Sequence, residues 1–211
     1  MATYQKKRIV MVLEGETEIV FYSRLLDYLY EHIVTSAWVF RDEIDFILAR
    51  GVGNIGVRAV QTFKMRYTHA SHTEHIVFCC YDTDVFENGR MPRLWTEHTV
   101  QKFLDAGAQK VYSICAQHMI EDWYLYDYDG ILAYLGLSKK EMPPSASAVP
   151  GKNAVKKLNY IYRKSNKIYQ KGYATDELIS HLDIGKIYSC IQKEIRPLIK
   201  ELNSKPNKRT T

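Results

Sequence analysis

The sequence predicts an α/β fold: a mainly parallel sheet flanked by helices, with a helical C-terminal extension. Two observations carry this. Four short apolar runs of strand length recur in the first half of the chain. The stretches between them place their apolar residues at helical spacing instead.

The first run, residues 8–13, reads as a strand and ends on Glu14-Gly15-Glu16-Thr17-Glu18. Thr17 is the expected N-cap of a helix reaching about residue 30. Val20, Phe21, Leu25, Leu29 and Ile33 follow its 3.6-residue period. Residues 45–48 are the second strand. Gly51, Gly53 and Gly56 form a glycine-rich turn into a helix over about 57–67. Residues 74–81, the most continuous apolar run, are the third strand. A loop over 82–92 and a helix over 94–106 lead to the fourth strand at 110–115. Helical turns are expected over 119–126 and 129–135. Residues 142–151 are rich in Pro, Ser and Ala and read as a mobile loop. Helices should follow at about 153–165, 175–181 and 185–202. The expected organisation is an α/β catalytic domain over 1–141, a flexible loop over 142–152, and a basic helical extension over 153–211 packed on the same domain.

Composition sets bounds. A chain of 211 residues suits one domain with an appendage. Hydrophobic residues are 46% and charged residues 25%, ordinary for a globular protein. No apolar run approaches the roughly 20 residues of a membrane helix. The N-terminus lacks the pattern of a signal peptide, and a cytoplasmic location is the expectation. Cys79, Cys80, Cys115 and Cys190 form no C-x-x-C pair, which argues against zinc and for buried free thiols. The net charge of +5 is modest, but its distribution is not. Between Lys152 and Lys171 lie Lys156, Lys157, Arg163, Lys164 and Lys167 with no acid among them. Tyr160, Tyr162 and Tyr169 interleave. A polyanion would find its footing there, although a solvated helix face has the same pattern.

The acids point to chemistry. In a parallel sheet, ligands gather at the C-terminal strand ends. Glu14 closes the first strand there, and Asp82 and Asp84 close the third. Two carboxylates two residues apart repel, and a cation relieves them, although a solvated turn with two surface aspartates has the same pattern. Hard oxygen donors suit Mg²⁺, Mn²⁺ or Ca²⁺ rather than zinc. Glu16 and Glu18 also suit a helix N-terminus. Glu121, in Glu121-Asp122-Trp123, follows the fourth strand and would add a ligand or an acceptor, while Trp123 and Tyr124 read as core. The glycine turn fits a plain strand-to-helix turn as well as a phosphate-facing one. His69, His72 and His75 have metal-like spacing but read as a solvated loop.

Together these residues resemble the Toprim domain, in particular its small OLD-like and RloB-like branches. Residues 12–18, Val-Leu-Glu-Gly-Glu-Thr-Glu, look like the E-G-x-T-E box. Tyr81-Asp82-Thr83-Asp84 looks like the D-x-D box. The glycine turn from Gly51 and the Ile120-Glu121-Asp122-Trp123 segment are similar to further marks of these branches. The resemblance covers about residues 8–127. It implies a Rossmann-like fold and Mg²⁺- or Mn²⁺-dependent cutting of phosphodiesters in DNA or RNA. Glu14 would be general acid/base or metal ligand, Asp82 and Asp84 metal ligands, and Glu18 and Glu121 their support. Lys152 would neutralise transition-state charge. Lys156, Lys157, Arg163, Lys164 and Lys167 would hold nucleic acid. An anti-phage effector role is implied as well, and any ATPase partner would be a separate chain, since the sequence carries no ATPase domain. A non-catalytic binding module on the same scaffold, and an RNA-processing enzyme, stay open beside it.

Overall fold

Strand β1 (Lys6–Leu13) is the axis of a four-stranded sheet ordered β2-β1-β3-β4, with β2 (Ile44–Leu48), β3 (Thr73–Asp82) and β4 (Lys110–Ala116). This computed structural model describes residues 4–36, 38–67, 72–84, 93–171 and 175–208. Every pairing is parallel. Residues Ile9 to Leu13 are fully buried in succession, because both faces of the central strand are covered. Helices α1 (Glu16–His32), α2 (Val60–Tyr67) and α3 (Arg93–Asp105) make the crossovers. They are followed by α4 (Ile120–Tyr124), α5 (Tyr128–Tyr134), α6 (Ala154–Lys164), α7 (Thr175–His181) and α8 (Ile184–Asn203).

The pleat sorts the core into two halves. Ile9, Met11, Leu13, Ile76, Phe78 and Cys80 face one way, onto Phe21 and Leu25 of α1 and onto the C-terminal helices. Val10, Val12, Val77, Cys79 and Tyr81 face the other way, onto Phe63 of α2 and Phe103 of α3. Leu158 and Ile161 of α6 and Ile187, Ile191 and Ile195 of α8 belong to the first half. The helical extension therefore completes the core of the sheet. At the N-terminal strand ends the Lys7 ammonium is fully buried and pairs with Glu201 of α8 at 2.9 Å. Among the described residues no helix is long and apolar enough to cross a membrane.

Four expectations change. Gly15, not Thr17, caps α1: its backbone is extended and Glu16 is already helical. The glycine turn opens as a short 3₁₀ turn at Val52–Asn54 and a π turn at Ile55–Ala59 before α2 begins. Gly56 explains the tight packing there, since a Cβ would stand 2.9 Å from the Thr99 hydroxyl of α3. Residues 142–151 are anchored at both ends, with Met142 and Val149 buried and the Tyr128 hydroxyl donating to the Pro143 carbonyl at 3.0 Å. His75 is no loop residue but lies buried in β3 against Phe63 and Tyr67. Of the cysteines, Cys79 and Cys80 are buried as expected and Cys190 is exposed. His69 and residues 85–92 of the expected loop lie outside the described residues.

Candidate functional site

The central strands β1 and β3 end side by side, and their acids meet there. The half-buried Glu14 follows β1, and its Oε1 accepts from the Asp82 backbone N–H at 2.8 Å. Glu18, one helical turn on, is buried and accepts from the Glu14 backbone N–H through Oε2 at 2.7 Å. Asp82, the last residue of β3, is buried and accepts from the Ile120 backbone N–H at 2.8 Å, which ties the start of α4 to the sheet. Glu121 is thereby brought in, also buried. Gly51 closes the rim: Arg50 and Gly51 take positive φ of 61° and 107°, and the Gly51 N–H donates to the Glu14 carbonyl at 3.1 Å. The four acids line one cavity of about 160 Å³, together with Thr17, Gly51, Ile120 and Lys171.

Lys171 and Tyr169 complete the cluster from the far side of α6. The Lys171 ammonium donates to Asp82 Oδ2 at 3.3 Å and lies 3.6 Å from Glu121 Oε2. The buried Tyr169 hydroxyl donates to Glu121 Oε1 at 3.1 Å. Glu121 Oε2 is buried and has no hydrogen bond.

Burial dominates the electrostatics. It pushes the Glu18 carboxyl up to about 8, and the Asp82 charge adds to this. It pushes Asp82 up to about 7; Lys171 opposes the rise while Glu121 and Glu14 reinforce it. Glu14 is raised for the same first reason, against the Asp82 N–H and Lys171. Burial alone would lower the Lys171 ammonium, but Glu121 and Asp82 overcome it and raise it. The crowded, buried carboxyls therefore resist ionising together, and one lysine offsets this only in part.

Comparison with family models, curated proteins and solved structures finds no match to this chain.

The oxygens suit a hard divalent cation. Among the described residues, however, no three His, Cys, Asp or Glu side chains already stand in a metal-ligating arrangement. The hydrogen bonds give the reason. Glu14, Glu18 and Asp82 each engage one carboxylate oxygen on a backbone N–H, and the Lys171 ammonium takes the place between Asp82 and Glu121. Asp84 stands apart. It is exposed, its N–H donates to the His118 carbonyl at 2.8 Å, and it lines a neighbouring cavity with Lys152. Its charge still acts on Glu14 and Lys171.

The lysine inside the acidic cavity is thus Lys171 and not Lys152. Lys152 lies at the start of α6, and only the return of the chain after that helix reaches Glu121. Lys156, Arg163, Lys164 and Lys167 are exposed and Lys157 half-buried, on and just beyond the side of α6 opposite its core residues Leu158 and Ile161. Lys164 lies over the Tyr160 ring at 5.4 Å and Lys167 over the Tyr134 ring at 5.2 Å. A larger cavity of about 410 Å³ lies between α1 and the start of α8, rimmed by Arg24, Asp27 and Glu31. It gathers none of the buried acids, so size does not mark the site.

Proposed function

We propose that this chain is a Mg²⁺- or Mn²⁺-dependent nuclease of the Toprim kind, hydrolysing phosphodiester bonds of DNA or RNA. One observation carries the reading. Four carboxylates from three separate parts of the chain converge on one small cavity at the strand ends, and a buried oxygen of Glu121 has no hydrogen-bond donor. Buried polar atoms are normally satisfied, and carboxylates raised by burial are best relieved by a cation.

Glu14, Asp82 and Glu121 would hold the cation, while Asp84, outside their cavity, would act on it only through its charge. When bound, the metal would supply an activated water and stabilise the leaving oxygen. Glu18 fixes the Glu14 backbone and so the approach of its carboxylate. Lys171 would neutralise charge on the phosphoryl oxygens. The basic side chains of α6 would hold the nucleic-acid backbone, a contact that positions without reading sequence. The link to anti-phage defence and to a separate ATPase subunit rests on the motif resemblance alone.

A second reading has one observation of its own. Lys171 already pairs with two of the acids, as it would in a structural ion cluster of a non-catalytic binding module. Cleavage assays separate the two. The purified chain is expected to cut at least one of DNA, tRNA or rRNA fragments with Mg²⁺ or Mn²⁺ and to stop in EDTA. No cutting of any of them favours the binding module.

Tyr169 gives a finer test. Tyr169→Phe removes the hydrogen bond that orients Glu121. Loss of such an outer contact typically lowers metal affinity or activity about 10–100-fold, at a stability cost of about 1.5–3 kcal/mol, since it leaves a buried carboxylate oxygen without its donor. Metal titration of cleavage and denaturant unfolding would read both; an unchanged metal dependence would deny Tyr169 this role.

A further inference from the structure

The wall of the acidic cavity has a second side. Residues 82–84 and 118–122 are joined by the Thr83 and Asp84 N–H groups donating to the His118 carbonyl, both at 2.8 Å. The His118 N–H returns to the Thr83 hydroxyl at 2.9 Å. His118 holds a positive φ of 71° to make this junction. Side chains from this wall divide between two cavities. Asp82, Ile120 and Glu121 line the acidic one. Asp84, Met119 and Asp122 line a neighbour of about 310 Å³, closed on its far side by Lys152, Asn153 and Lys157 at the start of α6.

The two differ in size and charge. At about 160 Å³, the acidic cavity is below the roughly 300–1,000 Å³ of small-molecule sites. It has room for ions and a phosphoryl group only. The neighbour reaches the lower end of that range. Its floor backs onto the buried Met119 and Ala154, and its polar rim carries Lys152 and Lys157 beside Asp84 and Asp122. Lys157 is within electrostatic reach of Asp122, whose carboxyl burial raises and Lys157 helps to lower. The exposed Lys152 ammonium has no ion pair or hydrogen bond among the described residues. A cavity that is part apolar, has an unspent cation and shares a wall with the acids suits a nucleoside with its phosphate.

We propose that this second cavity seats the nucleotide next to the scissile phosphodiester. Its phosphate pairs with Lys152 and Lys157, and its base or sugar fills the rest of the cavity between α6 and residues 118–122. The inference rests on the nuclease reading and sharpens it: the substrate is a polynucleotide, engaged on both sides of the wall, rather than an isolated phosphate ester. From Lys152 and Lys157 the strand would continue along the basic side of α6.

The test is binding in EDTA, where no cutting intervenes. Fluorescence anisotropy of a labelled oligothymidylate is read with the whole chain over a range of salt. The double variant Lys152→Gln/Lys157→Gln removes both charges while keeping polar side chains, and should fold, since Lys152 is exposed and Lys157 half-buried. It is expected to bind roughly tenfold more weakly, with a log–log salt slope shallower by about 0.7, one single-strand phosphate contact's worth. Lys139→Gln, on a surface lysine paired with Asp129, should change neither. Equal affinity and slope in the double variant, or no binding by the parent chain, overturns the seat. Hydrolysis is read separately, on bis(p-nitrophenyl) phosphate with Mn²⁺. A parent chain that binds with the expected slope but hydrolyses nothing loses the enzymatic reading and keeps the seat.

Discussion

Asp82→Asn is expected to cut nucleic acid at least about a thousandfold more slowly than the parent chain while melting no lower. Asparagine keeps an oxygen for the Ile120 N–H, so the link between β3 and α4 survives. The charge is what disappears. A metal ligand contributes several kcal/mol of transition-state stabilisation, and each 1.36 kcal/mol is about tenfold in rate. Stability runs the other way. The Asp82 charge is buried and faces Glu14 and Glu121, which together with burial raise its carboxyl to about 7. A neutral amide removes that repulsion. The lost ion pair with Lys171 costs little, because the lysine side chain is 52% exposed and Glu121 remains near it. Activity sites commonly hold such stability in reserve. Mn²⁺ at about a hundred times its dissociation constant should stabilise the parent by about 2.7 kcal/mol and the variant by almost nothing. Cleavage by the variant within tenfold of the parent would remove Asp82 from the machinery.

The sheet and the chain-local part of the site were legible in the sequence for the same reason. An apolar run ending in an acid states both the strand and where its edge lies. Glu14 and Asp82 needed only the inference that their strands are neighbours, and the structure hydrogen-bonds one to the other's backbone. Trp123 and Tyr124 were legible as core, and both are buried. What was not legible depends on contacts across the chain. Lys171 is 89 residues from Asp82, and Tyr169 is 48 from Glu121. In a basic run with interleaved tyrosines, nothing local marks one lysine as turned inward. The cap of α1 was misread because Thr17 has the right chemistry, yet Glu18 must already be helical for its carboxylate to reach the Glu14 N–H. The segment 142–151 was read as mobile from its Pro and Ser, although its apolar Met142 and Val149 were the signal that it is tied down. His75 lies inside the strand expected from residue 74, and the loop reading of its histidine spacing gives way to that strand, which begins at Thr73.

Glu201→Ala is expected to cost about 3–5 kcal/mol in unfolding free energy, the range for breaking a buried ion pair from one side. Glu201 is the hub of the opposite edge. It pairs with Lys7 at 2.9 Å and Lys110 at 3.1 Å, and accepts from the Tyr112 hydroxyl at 2.7 Å. Burial alone would raise its carboxyl, but hydrogen bonds from Lys7, Tyr112 and Lys110 outweigh this and hold it at about 2, from an ordinary 4.5. Alanine leaves the Lys7 ammonium fully buried with only the Glu201 and Ser204 carbonyls and the Ser204 hydroxyl as acceptors. The pH dependence follows from the lowered value. The contribution of ionised Glu201 is complete above about pH 4.5 and is lost as pH falls towards 2. Parent and variant should therefore converge in stability at acid pH and separate on the way to neutrality. Denaturant unfolding at pH 3 and pH 7 reads this; a gap that stays the same at both would exclude the ionised carboxylate as its source. The replacement Lys7→Met/Glu201→Met should recover much of the loss, because it leaves no unpaired charge behind. Lys7 and Glu14 stand at opposite ends of β1, roughly 23 Å apart at about 3.3 Å per residue. Below its melting temperature Glu201→Ala should thus retain the turnover of the parent, so that stability and chemistry fail separately at the two ends of one strand.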